Sequence, residues 1–253
     1  MCLRFVRFDD RIQYIIGGAV NRKSKISIIC VFVAIECVLY ALFLADDFGG
    51  VSVGANVALK YSTVALAFMF VLANFLFVDR RDKHDVFDNL LLALAFALTL
   101  VSDWFLLVQG EHYEVGVTTF IGAQLCHFAR IERTKIWLIC SAAARVLLSV
   151  VAIIVLAAFG ELNALYALVA IYFVQLVGNF VESVVWAVLA KDKRTRTQAI
   201  VLSVGFLLFI GCDISVGLAN LYGVAGECEW LFYTPSQVLI ALSLGRIYET
   251  ESH

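Results

Sequence analysis

An all-α, polytopic membrane fold is what the sequence predicts, and three observations predict it. The 253 residues are 62% hydrophobic with a single Pro and have a mean hydropathy of +0.91, where a soluble domain is nearer half apolar. The apolar residues fall in blocks of about 20, the length that spans a bilayer. Lys and Arg gather in alternate connecting segments, as they do on the cytoplasmic side of membranes.

Taken in order, the blocks give eight spans, at 26–45, 57–78, 87–108, 114–131, 136–158, 164–190, 199–222 and 230–247. Residues 1–25 form a basic N-terminal segment with Arg4, Arg7, Arg11, Arg22, Lys23 and Lys25. An interfacial helix and a plain topology-setting tail both fit it. The first apolar block is too long for a signal-peptide core, so no cleavable signal is expected. The connections "DDFGGVSVGAN", "QGEHYE", "GELN" and "GVAGECE" carry no Lys or Arg. Those between them hold Arg80, Arg81 and Lys83, then Arg130, Arg133 and Lys135, then Lys191, Lys193, Arg194 and Arg196, with Arg246 near the tail 248–253. An odd count of spans breaks this alternation, so both termini are predicted in the cytoplasm and 26–247 is one transmembrane domain. The expected location is a multi-pass position in the membrane, the plasma (inner) membrane if the cell is bacterial.

The net charge of −2 and the lack of a basic, aromatic-interleaved cluster give no sign of nucleic-acid binding. Five of the seven Cys lie in apolar blocks without C-x-x-C spacing, and Cys228 falls in a loop placed outside, so neither a disulfide framework nor a metal cluster is expected.

Two cations, Lys60 and Arg145, and four acids, Glu36, Asp103, Glu182 and Asp213, sit well inside spans, where charge is costly and faces a partner or a cavity. At a rise of about 1.5 Å per residue, Arg145 and Glu182 both lie roughly 12–14 Å from the cytoplasmic side, on adjacent antiparallel helices. They are read as a structural ion pair. Glu36, at similar depth, either joins that pair or faces a cavity. In the outer half, Asp103, Gln124, Tyr172, Asp213 and Gln237 come from five spans and share one slab roughly 8–13 Å below the surface, with Lys60 somewhat nearer it. Polar bonding between helices explains any one of them. Two carboxylates and a Lys at one depth are better explained by a pocket. Ser102-Asp103 followed by Gln124, and Cys212-Asp213 followed by Gln237, form a faint 4+4 repeat about an axis along the membrane normal. Pro235 removes the helical bond to the Leu231 carbonyl and should kink the last span.

These residues carry a resemblance to the lysoplasmalogenases, or YhhN-like proteins, which are eight-span enzymes. "SDWFLLV" is followed by Gly116, Phe120 and Gln124, and "GFLLFIGCD", with Gly205, Phe209 and Asp213, is followed by "FYTPSQVLIAL" with Tyr233 and Gln237. "ALKYSTVALAF" resembles the family's second span and keeps its Lys as Lys60. Tyr172 matches a Tyr of the sixth. The resemblance covers about 57–245, and Ser102, Tyr61 and His127 depart from the commoner Gly, Pro and Tyr. It implies hydrolysis of the vinyl ether bond of a lysoplasmalogen to a fatty aldehyde and a glycerophospho-headgroup, so the expected partner is a membrane lysophospholipid. Asp103 and Asp213 would share the acid and base roles, because two carboxylates in one low-dielectric site do not both ionise easily. Lys60 would take the lipid phosphate, and Gln124, Tyr172, Tyr233 and Gln237 would position water and the glycerol hydroxyl. No cofactor is implied, and a lone His127 among amides is a poor metal ligand set. A proton-coupled transporter of a small or lipid-like solute is the alternative, since paired acids and a buried Lys suit that class too.

The alternation of cations generates a direct prediction. In intact cells an impermeant thiol reagent should label Cys228 and leave Cys2 unlabelled; labelling of Cys2 alone would invert the topology.

Overall fold

The structure is a computed structural model and describes residues 22–49, 55–76, 83–131, 134–222 and 228–244. Most of the basic N-terminal segment and the whole tail 248–253 lie outside the described residues. Among those described there is no strand. Eight α-helices follow one another: α1 (Arg22–Gly49), α2 (Asn56–Leu76), α3 (Lys83–Asp103), α4 (Tyr113–Arg130), α5 (Lys135–Ala158), α6 (Ala164–Leu189), α7 (Lys193–Tyr222) and α8 (Glu229–Leu242). A π-helical turn, Trp104–Gln109, continues α3 directly after Asp103.

Six of the helices are long and apolar enough to cross a membrane, which makes the chain a multi-pass membrane protein. The exceptions are α4 and α8. Helix α4 has 18 residues and carries Glu114, Gln124, His127 and Arg130. Helix α8 has 14 residues. Both turn polar side chains inward, so neither needs to be apolar all round.

Helix starts follow local capping chemistry, in which a side-chain oxygen takes one of the free N–H groups of the first turn. The Thr134 hydroxyl accepts from the Trp137 N–H at 3.3 Å, Asn163 Oδ1 from Tyr166 at 2.8 Å and Asp192 Oδ1 from Thr195 at 2.8 Å. Gly110 and Gly160, with φ of 64° and 76°, follow the π turn and α5 in the left-handed region open to glycine.

Neighbours in sequence pack against each other at every step except α4 to α5, and α4 also meets α6 while α2 meets α8. The core is aromatic and aliphatic, built on Phe43, Phe96, Phe206, Leu92, Leu176, Leu202 and Ile240, all essentially buried. Helix α5 is peripheral. Of its side chains only Arg145 and Ser149 are buried, while Ile136, Ile139, Val146, Leu147 and Ile154 are 61–77% exposed. That surface suits lipid and not water.

Two interactions read from sequence are present. Arg145 Nη2 lies 3.0 Å from Glu182 Oε1, and Arg145 Nη1 donates to the Gln175 carbonyl and to Gln175 Oε1. Ser141 donates to the same Glu182 oxygen. The guanidinium lies against Gly178, where an added Cβ would come within 2.6 Å of Arg145 Cζ. Pro235 leaves the Leu231 carbonyl without its helical donor, and the Tyr40 hydroxyl of α1 donates to it at 3.1 Å. Thus α5 is anchored on α6 through Arg145 and Ser141, and α1 on α8 through Tyr40. Glu36 does not join the Arg145 pair; it is 2% exposed and neither carboxylate oxygen has a hydrogen-bond partner.

Three expectations need correction. The first helix runs to Gly49, so Asp46 and Asp47, read as loop, stand on α1. It also begins at Arg22, inside the segment read as a separate tail. Arg130, counted with the cytoplasmic cations, belongs to α4 and is 5% exposed, with its Nε 2.8 Å from Asp88 Oδ1 of α3. At its C-terminal end α1 outlasts the apolar block, because a charge paired within the bundle, here Asp47 with Lys60, does not end a helix.

The Arg145–Glu182 pair makes a stability prediction. Removing one partner of a buried pair typically costs about 3–5 kcal/mol, so Arg145→Ala should lose folded protein, with partial rescue by Glu182→Gln. Thermal melting and yield in detergent measure this, and single variants that melt like the parent would remove the pair as an anchor.

Candidate functional site

The α3–α4 and α7–α8 hairpins position the site because both are drawn unusually close. Ser102 Oγ donates to the Gly116 carbonyl at 2.6 Å, and a Cβ on Gly116 would fall 2.6 Å from Leu106. A Cβ on Gly205 would fall 2.8 Å from Ile240 and 3.4 Å from the Ser236 carbonyl. The first approach holds Asp103 beside α4. The second sets Phe209, one turn beyond Gly205, against Tyr233 of α8.

Asp103 is 5% exposed. The Tyr233 hydroxyl donates to it, 2.9 Å from Oδ1 and 2.8 Å from Oδ2. Asp213 is half-buried, and its Oδ2 accepts from the Tyr172 hydroxyl at 2.8 Å. The two carboxylates do not bond to each other. Phe209 touches both tyrosine rings, with centroids at 5.4 Å from Tyr233 and 6.5 Å from Tyr172. Phe120 closes the layer against Tyr172 at 5.6 Å and Phe209 at 5.8 Å. Each acid therefore rests on a tyrosine, and the tyrosines flank one phenylalanine.

The other sequence-selected residues hang on the same assembly. Trp230, one turn before Tyr233, contacts its ring edge-on at 5.2 Å. Lys60 Nζ lies 5.2 Å from the Trp230 ring centroid and 5.8 Å from that of Phe43. Its charge is met by Asp47, 3.0 Å from Oδ1 and 2.9 Å from Oδ2. Asn56 donates to Asp46 and Asp47 as well. Lys60 is thus a paired, aromatic-covered cation, with a partner that the loop reading of Asp47 had hidden. Gln124, one turn from Phe120, is fully buried. Asn179 Nδ2 donates to its side-chain and backbone oxygens, both at 2.9 Å. Gln237, one turn past Tyr233, is 3% exposed, and its Nε2 has no hydrogen-bond partner. Asn179 was missed in the sequence, although an Asn inside "VGNFVES" is itself an intramembrane polar signal.

A cavity of about 620 Å³ opens beside this assembly, between the start of α2 and the π turn. Asp46, Asn56, Tyr61, Trp104 and Val108 line it. The acids are not among its walls, but Trp104 directly follows Asp103. Tyr61 reaches across, its ring edge-on to Trp104 at 6.1 Å and its hydroxyl 3.4 Å from the Leu100 carbonyl. His127 is buried and packs edge-on to Phe206 at 5.3 Å. Among the described residues no three His, Cys, Asp or Glu side chains are grouped to hold a metal.

The buried charges sort into two classes. Lys60, Arg130 and Arg145 each have an acid: Asp47, Asp88 and Glu182. Among the described residues Glu36, Asp103 and Asp213 are in no ion pair, and the last two are held by neutral tyrosines. Structural demand accounts for the first class and not for the second.

No curated protein and no solved structure matches the chain. The YhhN family model matches residues 55–244. That range holds every element of the site from Asn56 to Gln237 and ends within two residues of the resemblance read from the motifs. Covering well over half of the sequence, it places the chain in a family: this protein belongs to the YhhN family.

Proposed function

We propose that the protein is a membrane-embedded hydrolase of the lysoplasmalogenase type, which cleaves the vinyl ether bond of a lysophospholipid through Asp103 and Asp213. The observation that carries this reading is the pair of cation-free acids, each on a tyrosine hydroxyl, at one level of the bundle.

The chemistry asks for a proton delivered to carbon. A carboxylic acid gives its proton to the vinyl carbon remote from oxygen, the double bond moves, and an oxocarbenium ion forms. Water adds to the cationic carbon and loses a proton to the second carboxylate. The hemiacetal then splits into aldehyde and glycerol hydroxyl. Two carboxyls are enough for the proton traffic. Phe120 and Phe209 keep the reacting centre dry apart from the water consumed. The cavity at Tyr61 and Trp104 is the proposed place where lipid reaches Asp103, with Lys60 and Asn56 close to its headgroup. Tyr172 and Tyr233 orient the acids, and Gln124 and Gln237 orient water.

The same reading takes all eight helices across the bilayer, with the starts of α2 and α8 outward and both chain ends in the cytoplasm. The neighbour pattern supports a 4+4 repeat, because two contacts between the halves, α4 on α6 and α8 on α2, correspond to each other. Glu36, buried and without a partner, is the observation that favours a proton-coupled carrier as a second reading.

General acid–base groups typically contribute about 10²–10⁴-fold. Purified protein given a lysoplasmalogen should release fatty aldehyde. Asp103→Asn and Asp213→Asn should each lose at least about 100-fold in kcat with normal folding, and the double variant should be little worse, because groups acting as a unit are not additive. Turnover of either single variant within a few-fold of the parent would sink the hydrolase mechanism.

Lys60 needs a different design, since Lys60→Met alone strands Asp47. In an Asp47→Asn background, Lys60→Met should raise KM more than it lowers kcat if the ammonium meets the phosphate. An unchanged KM would make Lys60 purely structural.

A further inference from the structure

Below the acid–tyrosine layer, polar atoms without partners are buried on α4, α6 and α8. Gln124 Nε2, Asn179 Oδ1, His127 Nδ1 and Gln237 Nε2 are all unpartnered, on side chains 0–4% exposed. The amide orientation at Gln124 is set by its backbone. Asn179 Nδ2 lies 2.9 Å from both the Gln124 carbonyl and Gln124 Oε1. Turning Asn179 round would bring its oxygen onto two acceptors, so its Nδ2 must be the donor. That leaves a donor on Gln124 and an acceptor on Asn179 beside each other and unused.

The series has polar ends. Above it, Gln237 stands one turn from Tyr233, which holds Asp103. Below it, His127 follows Gln124 by three residues, and Arg130 follows His127 by three more. Arg130 pairs with Asp88, donates to Ser243 Oγ, and keeps an unpartnered Nη1. Gln124 to Arg130 spans about 9 Å of helix rise, room for roughly three waters in file. A buried polar atom without a partner costs on the order of 1–3 kcal/mol. An internal water with two to four polar neighbours removes that cost.

We propose that Gln124, His127, Asn179 and Gln237 bind a file of internal water that joins the Asp103–Tyr233 site to Arg130 at the opposite end of the bundle. Its purpose rests on the hydrolase reading: the lipid fills the side open to the membrane, and the water consumed reaches the acids from behind.

Radiolytic hydroxyl-radical labelling of the unmodified protein tests this, since radicals formed from bound water oxidise the residues beside it even when they are buried. His127 and its packing partner Phe206 should be oxidised at least ten-fold faster than Phe32, which is equally buried in the α1–α2 interface. Asn179→Leu should cut labelling of His127 at least five-fold and leave Phe32 unchanged. His127 labelled no faster than Phe32 in the parent overturns the proposal, and so does a folded Asn179→Leu protein whose His127 labels like the parent. Labelling needs no turnover. A labelled His127 in a protein that releases no aldehyde keeps the water file and discards the hydrolase.

Discussion

A polar group in hydrocarbon has no water to turn to, and the arrangement of this bundle follows from where its polar groups find each other. Helix packing in membranes gains little from burying apolar surface, because lipid is as apolar as Leu. Specific geometry has to come from close contacts and from internal bonds. Here the bonds run between helices: Asp88 to Arg130 ties α3 to α4, Arg145 to Glu182 ties α5 to α6, Tyr233 to Asp103 ties α8 to α3, and Tyr172 to Asp213 ties α6 to α7. The least buried helices show the rule most simply. Helix α5 offers lipid nearly all of its surface and keeps Arg145 for α6. Helix α1 uses Tyr40 to satisfy the one carbonyl that Pro235 leaves open.

Much of this was legible in the sequence, and the failures have a common origin. Span positions follow from composition, and depth follows from rise per residue. Depth alone matched Arg145 with Glu182, since consecutive helices are neighbours and only one such pair shared a level. The Leu231 carbonyl was identified from the missing N–H of Pro235. What depth does not give is azimuth. Nothing in the chain shows that Tyr233 faces Asp103, 130 residues away, or that Asn179 faces Gln124. Helix ends were the second weakness. Asp46 and Asp47 look like loop residues because charge usually marks an interface, yet both stand on α1, where Asp47 is ion-paired and Asp46 accepts from Asn56; Arg130, placed in its span but counted with the interface cations, is ion-paired inside the bundle.

The difference between the two kinds of buried acid is one of hydrogen-bond inventory. A guanidinium or ammonium only donates, so it suits a carboxylate and no other state. Asp47, Asp88 and Glu182 are matched in this way and have a fixed task. A tyrosine hydroxyl donates to a carboxylate and accepts from a carboxylic acid. The Tyr233–Asp103 and Tyr172–Asp213 contacts can therefore persist whichever state the acid is in. A site that must take and return a proton without rebuilding its packing needs this property. An ion pair lacks it.

The separation of the acids by Phe209 then becomes intelligible. Two carboxyls in direct contact would hold one proton between them and satisfy each other, leaving little reason to engage a third group. With Phe209 against both tyrosines, each acid keeps its own tyrosine and an aromatic ring joins the two supports. On the proposed reading, two acids held beside aromatic rings suit a substrate whose reacting atoms are carbon. They suit a small polar solute poorly, because such a solute would have to leave its hydration for aromatic walls. The same aromatic layer sets the charged pair Lys60–Asp47 on one side and the polar series of Gln124, Asn179 and His127 on the other. On the proposed reading, headgroup chemistry and water supply are kept apart by the layer in which the acids sit.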